Sequence, residues 1–322
     1  MLVLSNSHSG TELEIPLYRR KGNVILRWEI KKNEQGMLIK TYLQQIHHFS
    51  RRLLISLKKV PSSIQVNGTS QWVTYKLKRE DILTVALPDE KPSDAITPEK
   101  LPLDIIYEDA YCLVVNKPAG QACLPSMNHR HNTLANGLTY YYQKNSIPST
   151  VHIVTRLDVN TSGLVLVAKN QYVHSLFSRM QQEGNINRVY EAIVHGEVSP
   201  TSGIVDAPIA RKEGSIIERT VDMRNGKYAK TNYRVLYADS IASWVEIKLE
   251  TGRTHQIRVH FQYLGHSLYG DNLYGGSKDI MLRQALHCKQ ITMMHPIKNQ
   301  PIQLEASLPE DMGILLKRLM LI

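Results

Sequence analysis

The stretch from Ile153 to Ala168 limits what this chain can fold into more than any other. Asp158-Val159-Asn160-Thr161-Ser162-Gly163 is dense in turn formers, and the β-branched and leucine residues on either side, including the apolar run Leu164 to Ala168, read as strands. A carboxylate, Asp158, therefore sits on a tight connection at the end of a sheet, held rigidly and open to a cleft. The plain alternative is that Asp158 only caps its own turn.

At 322 residues the chain has room for a domain of about 200 residues and a smaller module, at roughly 100 to 200 residues per domain. Met1 to Asn6 lacks the basic and apolar regions of a signal peptide, and no apolar run approaches the roughly 18 residues of a membrane helix. A soluble, cytoplasmic protein without a membrane partner is expected. Cys112, Cys123 and Cys288 form an odd set without Cys-x-x-Cys spacing, which argues against a disulfide framework and a cysteine zinc site. A formal charge of +10 and a pI near 9.4 point to a polyanionic partner. Residues 1–92 hold 15 Lys+Arg against 8 Asp+Glu, and the other 230 hold 24 against 21, so the electrostatic grip belongs to the N-terminal portion.

In that portion Val24 to Ile30 alternates as a strand, and Leu38, Ile39, Leu43 and Ile46 recur at helical spacing. Ser50 is placed to cap a second helix running to Lys59. Ile64 to Gly68 ends in an Asn-Gly turn signal, with Ile82 to Leu87 as the returning strand. Pro88, Pro92, Pro98 and Pro102 punctuate a polar segment that reads as a stiff linker over 88–102. It divides a basic N-terminal region, 1–87, from a larger domain, 103–322. In the larger domain Tyr111 to Val115, which ends at an Asn116-Lys117-Pro118-Ala119-Gly120 turn, and Val189 to Val194, Lys230 to Tyr237 and Ser243 to Leu249 read as strands. Thr133 to Tyr142, capped by Thr133, and Tyr172 to Gln181 read as helices. Strands and helices mix without strict alternation, which is an α+β arrangement and not a doubly wound sheet.

Three segments carry the chemistry. The first, Arg156-Leu157-Asp158-x-x-Thr161-Ser162-Gly163-Leu164, resembles the catalytic motif of the RluA-type pseudouridine synthases. The second, Asn187 to Gly196, resembles that family's basic residue, any residue, then tyrosine; here the pair is Arg188 and Tyr190. The third runs from Thr251 to His260 and on to Gly265-His266 and Gly270-Asp271, with Thr254 expected as a helix N-cap, Gly265 as its C′ residue and Arg258 in the first turn. The resemblance covers most of residues 104–309. It implies a mixed, largely antiparallel central sheet with flanking helices and a catalytic cleft. The order of elements over about 36–87, with Phe49-Ser50-Arg51-Arg52 and Val66-Asn67-Gly68, is similar to the small alpha-L RNA-binding module of a ribosomal small-subunit protein. It departs from that pattern at Val60-Pro61-Ser62-Ser63. The likeness implies a small α/β RNA-binding domain with Arg51, Arg52, Lys58 and Lys59 as RNA contacts, against the alternative of a solvated helix face.

Pseudouridylation breaks the bond from ribose C1′ to uracil N1 and rejoins C1′ to C5 without redox change, so it needs neither metal nor nucleotide cofactor. It needs one ionised carboxylate, as nucleophile at C1′ or as base at the 2′ position. The resemblance implies that Asp158 is that residue and that Arg258 pairs with it through a bidentate fork, keeping it below its reference pKa of ~3.9. It also implies that Arg156 enters the space vacated by the flipped nucleotide and that Tyr190 packs on the uracil and assists proton transfer at C5. Thr161, Arg253, His255 and Gln256 complete the expected substrate contacts. His255, His260 and His266 lack zinc-site spacing, and neither a Walker motif nor a dinucleotide fingerprint is present, so no metal or cofactor is expected. The expected partner is structured RNA, ribosomal ahead of transfer RNA, bound by a monomer. The rivals are a catalytically silent RNA-binding or ribosome-assembly factor that kept the fold, and a hydrolase, for which no Gly-x-Ser-x-Gly elbow exists.

Overall fold

The computed structural model describes residues 18–20 and 23–319. Residues 1–17, 21 and 22 of the basic region and 320–322 of the larger domain lie outside the described residues. The chain divides into two units, one running to Asp89 and taking in His295–Gln300, the other comprising Glu90–Met294 and the chain from Pro301 onward. Among the described residues no helix is long and apolar enough to cross a membrane.

The first unit is an antiparallel sheet of β1 (Tyr18–Arg20), β2 (Asn23–Glu29), β3 (Ile64–Val66), β4 (Thr69–Ser70) and β5 (Ile82–Ala86), in the order β1-β2-β5-β3-β4. Helix α1 (Ile39–Gln45) buries Ile39, Tyr42 and Leu43. Ile46, expected on the same face, is 40% exposed because the helix stops at Gln45. Helix α2 (Arg51–Lys58) begins as expected, the Ser50 hydroxyl accepting the Leu53 N–H at 3.1 Å. It buries Leu53, Leu54 and Leu57 and leaves Arg51, Arg52, Lys58 and the following Lys59 exposed. Asn67 (φ 51°) and Gly68 (φ 80°) make the expected tight turn, since both adopt the left-handed conformation a two-residue hairpin demands. The turn returns into β4, not into Ile82–Leu87. A two-residue turn joins only adjacent antiparallel strands, and β5 arrives later to pair with the other edge of β3.

The second unit is built on a ten-stranded sheet. Its N-terminal part contains β6 (Ile105–Glu108), β7 (Cys112–Lys117), α3 (Leu134–Lys144), β8 (His152–Ile153), β9 (Ser162–Ala168), α4 (Gln171–Gln182) and β10 (Ile186–His195). Then come β11 (Ser202–Asp206), a separate ribbon of β12 (Ile209–Arg211) and β13 (Arg219–Val221), β14 (Lys230–Ala238), β15 (Ala242–Leu249) and α5 (Gln256–Tyr263). The chain closes with β16 (Leu286–Met294), β17 (Pro301–Glu305) and α6 (Glu310–Arg318). The strand order is β11-β14-β15-β10-β16-β9-β7-β6, with β17 added to β16 and β8 to β9. Every pairing is antiparallel except β9 with β16, where Ser162 faces His287 and Gly163 faces Cys288. This is the mixed, largely antiparallel α+β sheet expected.

The apolar run after Asp158 becomes β9, buried along its whole length, with strands paired to both its edges. Gly163 belongs to that arrangement. It has φ +112°, and a Cβ there would lie 2.3 Å from the Cys288 carbonyl oxygen, so no larger residue lets β9 run beside β16. On one face α6 inserts Met312, Leu315 and Leu316 against Ile193, Ala242, Tyr269, Met281 and Ala285. Each such side chain contributes about 1.5 to 3 kcal/mol by leaving water. The stretch expected as a linker over 88–102 has no helix or strand and a turn closed by the Ile96 N–H on the Ser93 carbonyl at 3.1 Å, and from Glu90 it is held by the second unit. The Glu90 carboxylate accepts the Gln171 N–H at 2.6 Å and contacts His152, while Asn136 donates to the Thr97 carbonyl at 2.7 Å.

Candidate active site

Asp158 opens a turn closed by the Thr161 N–H on the Asp158 carbonyl at 3.1 Å, immediately before β9. Side chains from distant segments hold Leu157 and Val159 to Thr161. Cys123 Sγ lies 3.4 Å from both the N and the O of Leu157, Arg283 donates to the Asn160 carbonyl at 3.2 Å, and Gln284 donates to the Thr161 hydroxyl at 3.2 Å. Beneath the turn the fully buried Lys117 donates to the carbonyls of Val159 (3.1 Å), Pro118 (2.7 Å) and Gln121 (2.8 Å). Burial pushes its ammonium down to about 8, with Cys123 and Asp158 acting the other way. A loop tied at so many points presents its one remaining carboxylate in a fixed direction.

That carboxylate meets Arg258, the third residue of α5, whose Nη1 donates to Asp158 Oδ2 at 3.1 Å. The pairing is not the bidentate fork expected. Arg258 gives Nε and Nη2 to the two oxygens of Asp271, at 2.6 and 2.8 Å, and keeps only Nη1 for Asp158. Asp271 is buried, and Gly270 before it turns the chain where a Cβ would fall 1.9 Å from the Arg283 carbonyl. The ring of Tyr274 covers the guanidinium, 4.9 Å from ring centre to Arg258 Cζ. Burial works against the Arg258 charge, but Asp271 and then Asp158 outweigh it and raise its pKa. Among the described residues no donor reaches Asp158 Oδ1, and the side chain keeps 28% of its exposure, so one oxygen faces the cleft.

The cleft has about 80 Å³ of free volume, and its wall contains all eight residues singled out in the C-terminal domain: Asp158, Tyr190, Arg258, Arg156, Thr161, Arg253, His255 and Gln256. Arg156 is exposed at its rim. Tyr190 is buried, with its hydroxyl 3.3 Å from Arg188 Nη1; burial raises its pKa despite the Arg188 charge, so the phenol keeps its proton. Thr161 is buried with its hydroxyl already engaged by Gln284. Arg253 donates to the Tyr228 carbonyl and stays exposed.

Two expectations for the third segment change. Thr254 does not cap α5; the N-cap is His255, in the left-handed conformation at φ 57°, and it makes no side-chain cap bond. Gln256, expected to touch substrate, has its amide consumed. Its Oε1 accepts the Arg253 N–H (2.9 Å) and the Thr251 hydroxyl (2.8 Å), and its Nε2 donates to the Lys230 carbonyl and the Thr231 hydroxyl (3.0 Å each). It is a latch that holds the loop before α5. His255 directs Nδ1 to the Tyr274 hydroxyl at 2.7 Å and Nε2 toward Asp158 at 3.8 Å. Burial lowers its pKa, with Asp158 opposing, so the ring tends to neutrality. His260 and His266 are engaged with Thr231 and Ala207 and with the His195 carbonyl.

Sequence reasoning assigned no role to Asp271, Tyr274, Lys117 or Arg283. Asp271 was visible only as part of Gly270-Asp271, and Lys117 only as a turn residue. Arg51, Arg52, Lys58 and Lys59 belong to the other unit.

Residues 111–263 match the family model described as RNA pseudouridylate synthase. The chain is 44% identical over 281 residues, 87% of its length and 99% of the relative's, to the uncharacterized RNA pseudouridine synthase YjbO of Bacillus subtilis (strain 168). It is 40% identical over 261 residues, 77% of its length and 82% of the relative's, to ribosomal large subunit pseudouridine synthase D of Zymomonas mobilis. The fold is shared with human RNA pseudouridylate synthase domain containing 4, at a TM-score of 0.56 and 22% identity over 67% of this chain and 92% of that one. A mixed sheet bearing a cleft, a carboxylate with one open oxygen on its wall and sequence likeness along most of the chain agree, and the protein belongs to the RNA pseudouridylate synthase family, isomerases that act on RNA.

Proposed function

We propose that Asp158 is the catalytic carboxylate, reacting at the ribose through Oδ1 while Arg258 stabilises its charge through Oδ2. The observation that carries this is the division of labour at Asp158: one oxygen hydrogen-bonded to a guanidinium held from behind by Asp271, the other left to the cleft. A preorganised charge needs no reorganisation when the reaction begins. Tyr190, with its proton retained, stacks beside the uracil and serves proton transfer at C5, and Arg156 at the rim fills the gap that a flipped nucleotide leaves. His255 and Arg253 contact the nucleotide. Asp158→Asn keeps the shape and loses the reactive oxygen, so isomerisation should vanish while RNA affinity stays within a few fold. Turnover by that variant at a tenth of the wild-type rate would sink the assignment.

The substrate we propose is ribosomal RNA of the large subunit, in a cytoplasmic setting. Support comes from the relatives named as large-subunit synthases, at 35 to 40% identity. Carbodiimide treatment of cellular RNA and primer-extension mapping, with and without the gene, would identify the uridine. A stop lost from transfer RNA instead would replace this substrate.

The first unit, as an alpha-L-type module, supplies affinity through Arg51, Arg52, Lys58 and Lys59, which α2 leaves exposed on the side away from its buried leucines. Neutralising all four to Gln in the full chain should flatten the dependence of log K on log salt by about 0.7 to 0.9 for each phosphate no longer neutralised, with the single-turnover rate at saturating RNA preserved. An unchanged slope would leave those residues a solubilising role only.

A further inference from the structure

Beside the catalytic cleft runs a second, larger trough of about 430 Å³, lined by Arg211, Arg219, Asn225, Lys227 and Arg253 over a floor that includes Ile209. Gly252 and Arg253 line both spaces, so the two adjoin. Its walls are the β12–β13 ribbon and the segment through Lys227, which pairs with Ile209 on the outer edge of β12.

The charges in it are badly arranged for a protein alone. Arg211 and Arg219 stand directly opposite each other across the ribbon, where side chains come within about 5 Å at Cβ and like charges repel. The usual remedy is an interleaved acid, and among the described residues none pairs with either arginine. Glu218 is taken by Lys212 at 3.1 Å, and the Asp222 carboxylate is occupied by the backbone N–H groups of Arg224 and Asn225. Arg219 donates to the carbonyls of Ile217 and Glu218, and Arg253 to that of Tyr228. Among the described residues, none of the four cations pairs with a carboxylate.

We propose that this trough seats the phosphodiester backbone of the RNA on one side of the isomerised uridine, with Arg211, Arg219 and Lys227 as phosphate contacts. The inference rests on the reading of the adjoining cleft as the isomerisation site. Four cations without carboxylate partners, beside the cleft, match a polyanion entering it, and phosphate offsets the repulsion between Arg211 and Arg219. The ribbon is also wired to the cleft: the Arg219 N–H donates to the Tyr274 hydroxyl at 3.0 Å, and that hydroxyl meets His255, which faces Asp158. Backbone seating and base positioning therefore share a wall.

The test uses the full-length chain and the Arg211→Gln/Lys227→Gln double variant, with Lys144→Gln/Lys317→Gln, two exposed lysines elsewhere, as the charge-matched control. Probes are a stem-loop transcript carrying the mapped uridine, the same transcript trimmed on either flank, and oligouridylate. The trough variant should bind at least tenfold more weakly, with a salt slope shallower by about 1.4 to 1.8 for two phosphates. The control should keep the wild-type slope. Trimming one flank should weaken the wild type and leave the trough variant indifferent to that flank. A folded trough variant with wild-type slope and flank dependence overturns the proposal. Binding is read without turnover, so a cleft that fails to isomerise shows in the rate alone, and the slopes still decide the trough.

Discussion

Replacing Asp271 with Asn probes why Arg258 reaches Asp158 in a single orientation. Asp271 takes two of the three hydrogen bonds Arg258 makes to carboxylates, at 2.6 and 2.8 Å, in a site where both side chains are nearly excluded from water. Asn can accept from one of these donors but turns its own NH₂ toward the other. One charge-assisted bond, about 1.5 to 3 kcal/mol, is lost, and a buried donor is left unmet. Removing one partner of a buried pair costs about 3 to 5 kcal/mol. Arg258 keeps Asp158 and the Tyr274 ring, so the expected loss is near the lower bound, about 3 kcal/mol. The kinetic effect is separate. A guanidinium no longer held from behind can move by the order of an ångström, which costs about 10²-fold in rate. Urea unfolding of the purified variant reads the first effect, and single-turnover isomerisation at saturating RNA, well below the unfolding midpoint, reads the second. RNA affinity should change little, because Asp271 does not line the cleft. A variant within about 0.5 kcal/mol of wild-type stability and within two-fold of its rate would refute the view that Asp271 positions Arg258.

Arg258→Lys retains a positive charge but cannot span Asp271 and Asp158 at once, so the single-turnover rate should fall by about 10²-fold or more, and a rate within threefold would show that charge alone suffices. Tyr190→Phe keeps the buried ring and removes its proton; the expectation is wild-type affinity with a rate loss of about 10²-fold, the lower end for general acid–base help, and an unchanged rate would confine Tyr190 to packing. His287, buried and bonded to the Ser162 hydroxyl at 2.9 Å, has its pKa pushed down to about 4 by burial. Below about pH 6.5 the unfolded chain binds a proton that the folded chain refuses until about pH 4. The His287 contribution to stability is therefore full above 6.5, falls by up to about 1.4 kcal/mol per pH unit between those limits, and levels off below. Urea midpoints across that range should show a shallower decline in His287→Gln, and an identical decline would exclude His287 as the source.

Much of this protein is written locally. Ser50, Thr133 and Asn170 cap the helices that follow them because a short polar side chain reaches an N–H three residues on, and that relation is the same in a peptide or a fold. The run Leu164 to Ala168, short, apolar and bounded by turn formers, is a buried strand, and Asn67-Gly68 turns because both residues tolerate the left-handed backbone. The eight cleft residues were legible through motif resemblance, and one cleft contains them all. What the sequence left open are partnerships across long separations. Arg258 lies 100 residues from Asp158 and 13 from Asp271, and spacing does not say that its fork belongs to the nearer carboxylate and only one nitrogen to the other. Gln256 is as polar as a substrate ligand, yet four protein groups claim its amide. Lys117 is a turn residue by sequence and a buried clamp under Asp158 in the fold. Arg211 and Arg219 are ordinary surface cations until the β12–β13 register sets them face to face. Caps and turns depend on atoms a few bonds apart. A hydrogen-bond partner or a repelling neighbour depends on which strands pair, here on β9 lying parallel to β16 and on α5 packing behind the turn, and only the folded chain decides that.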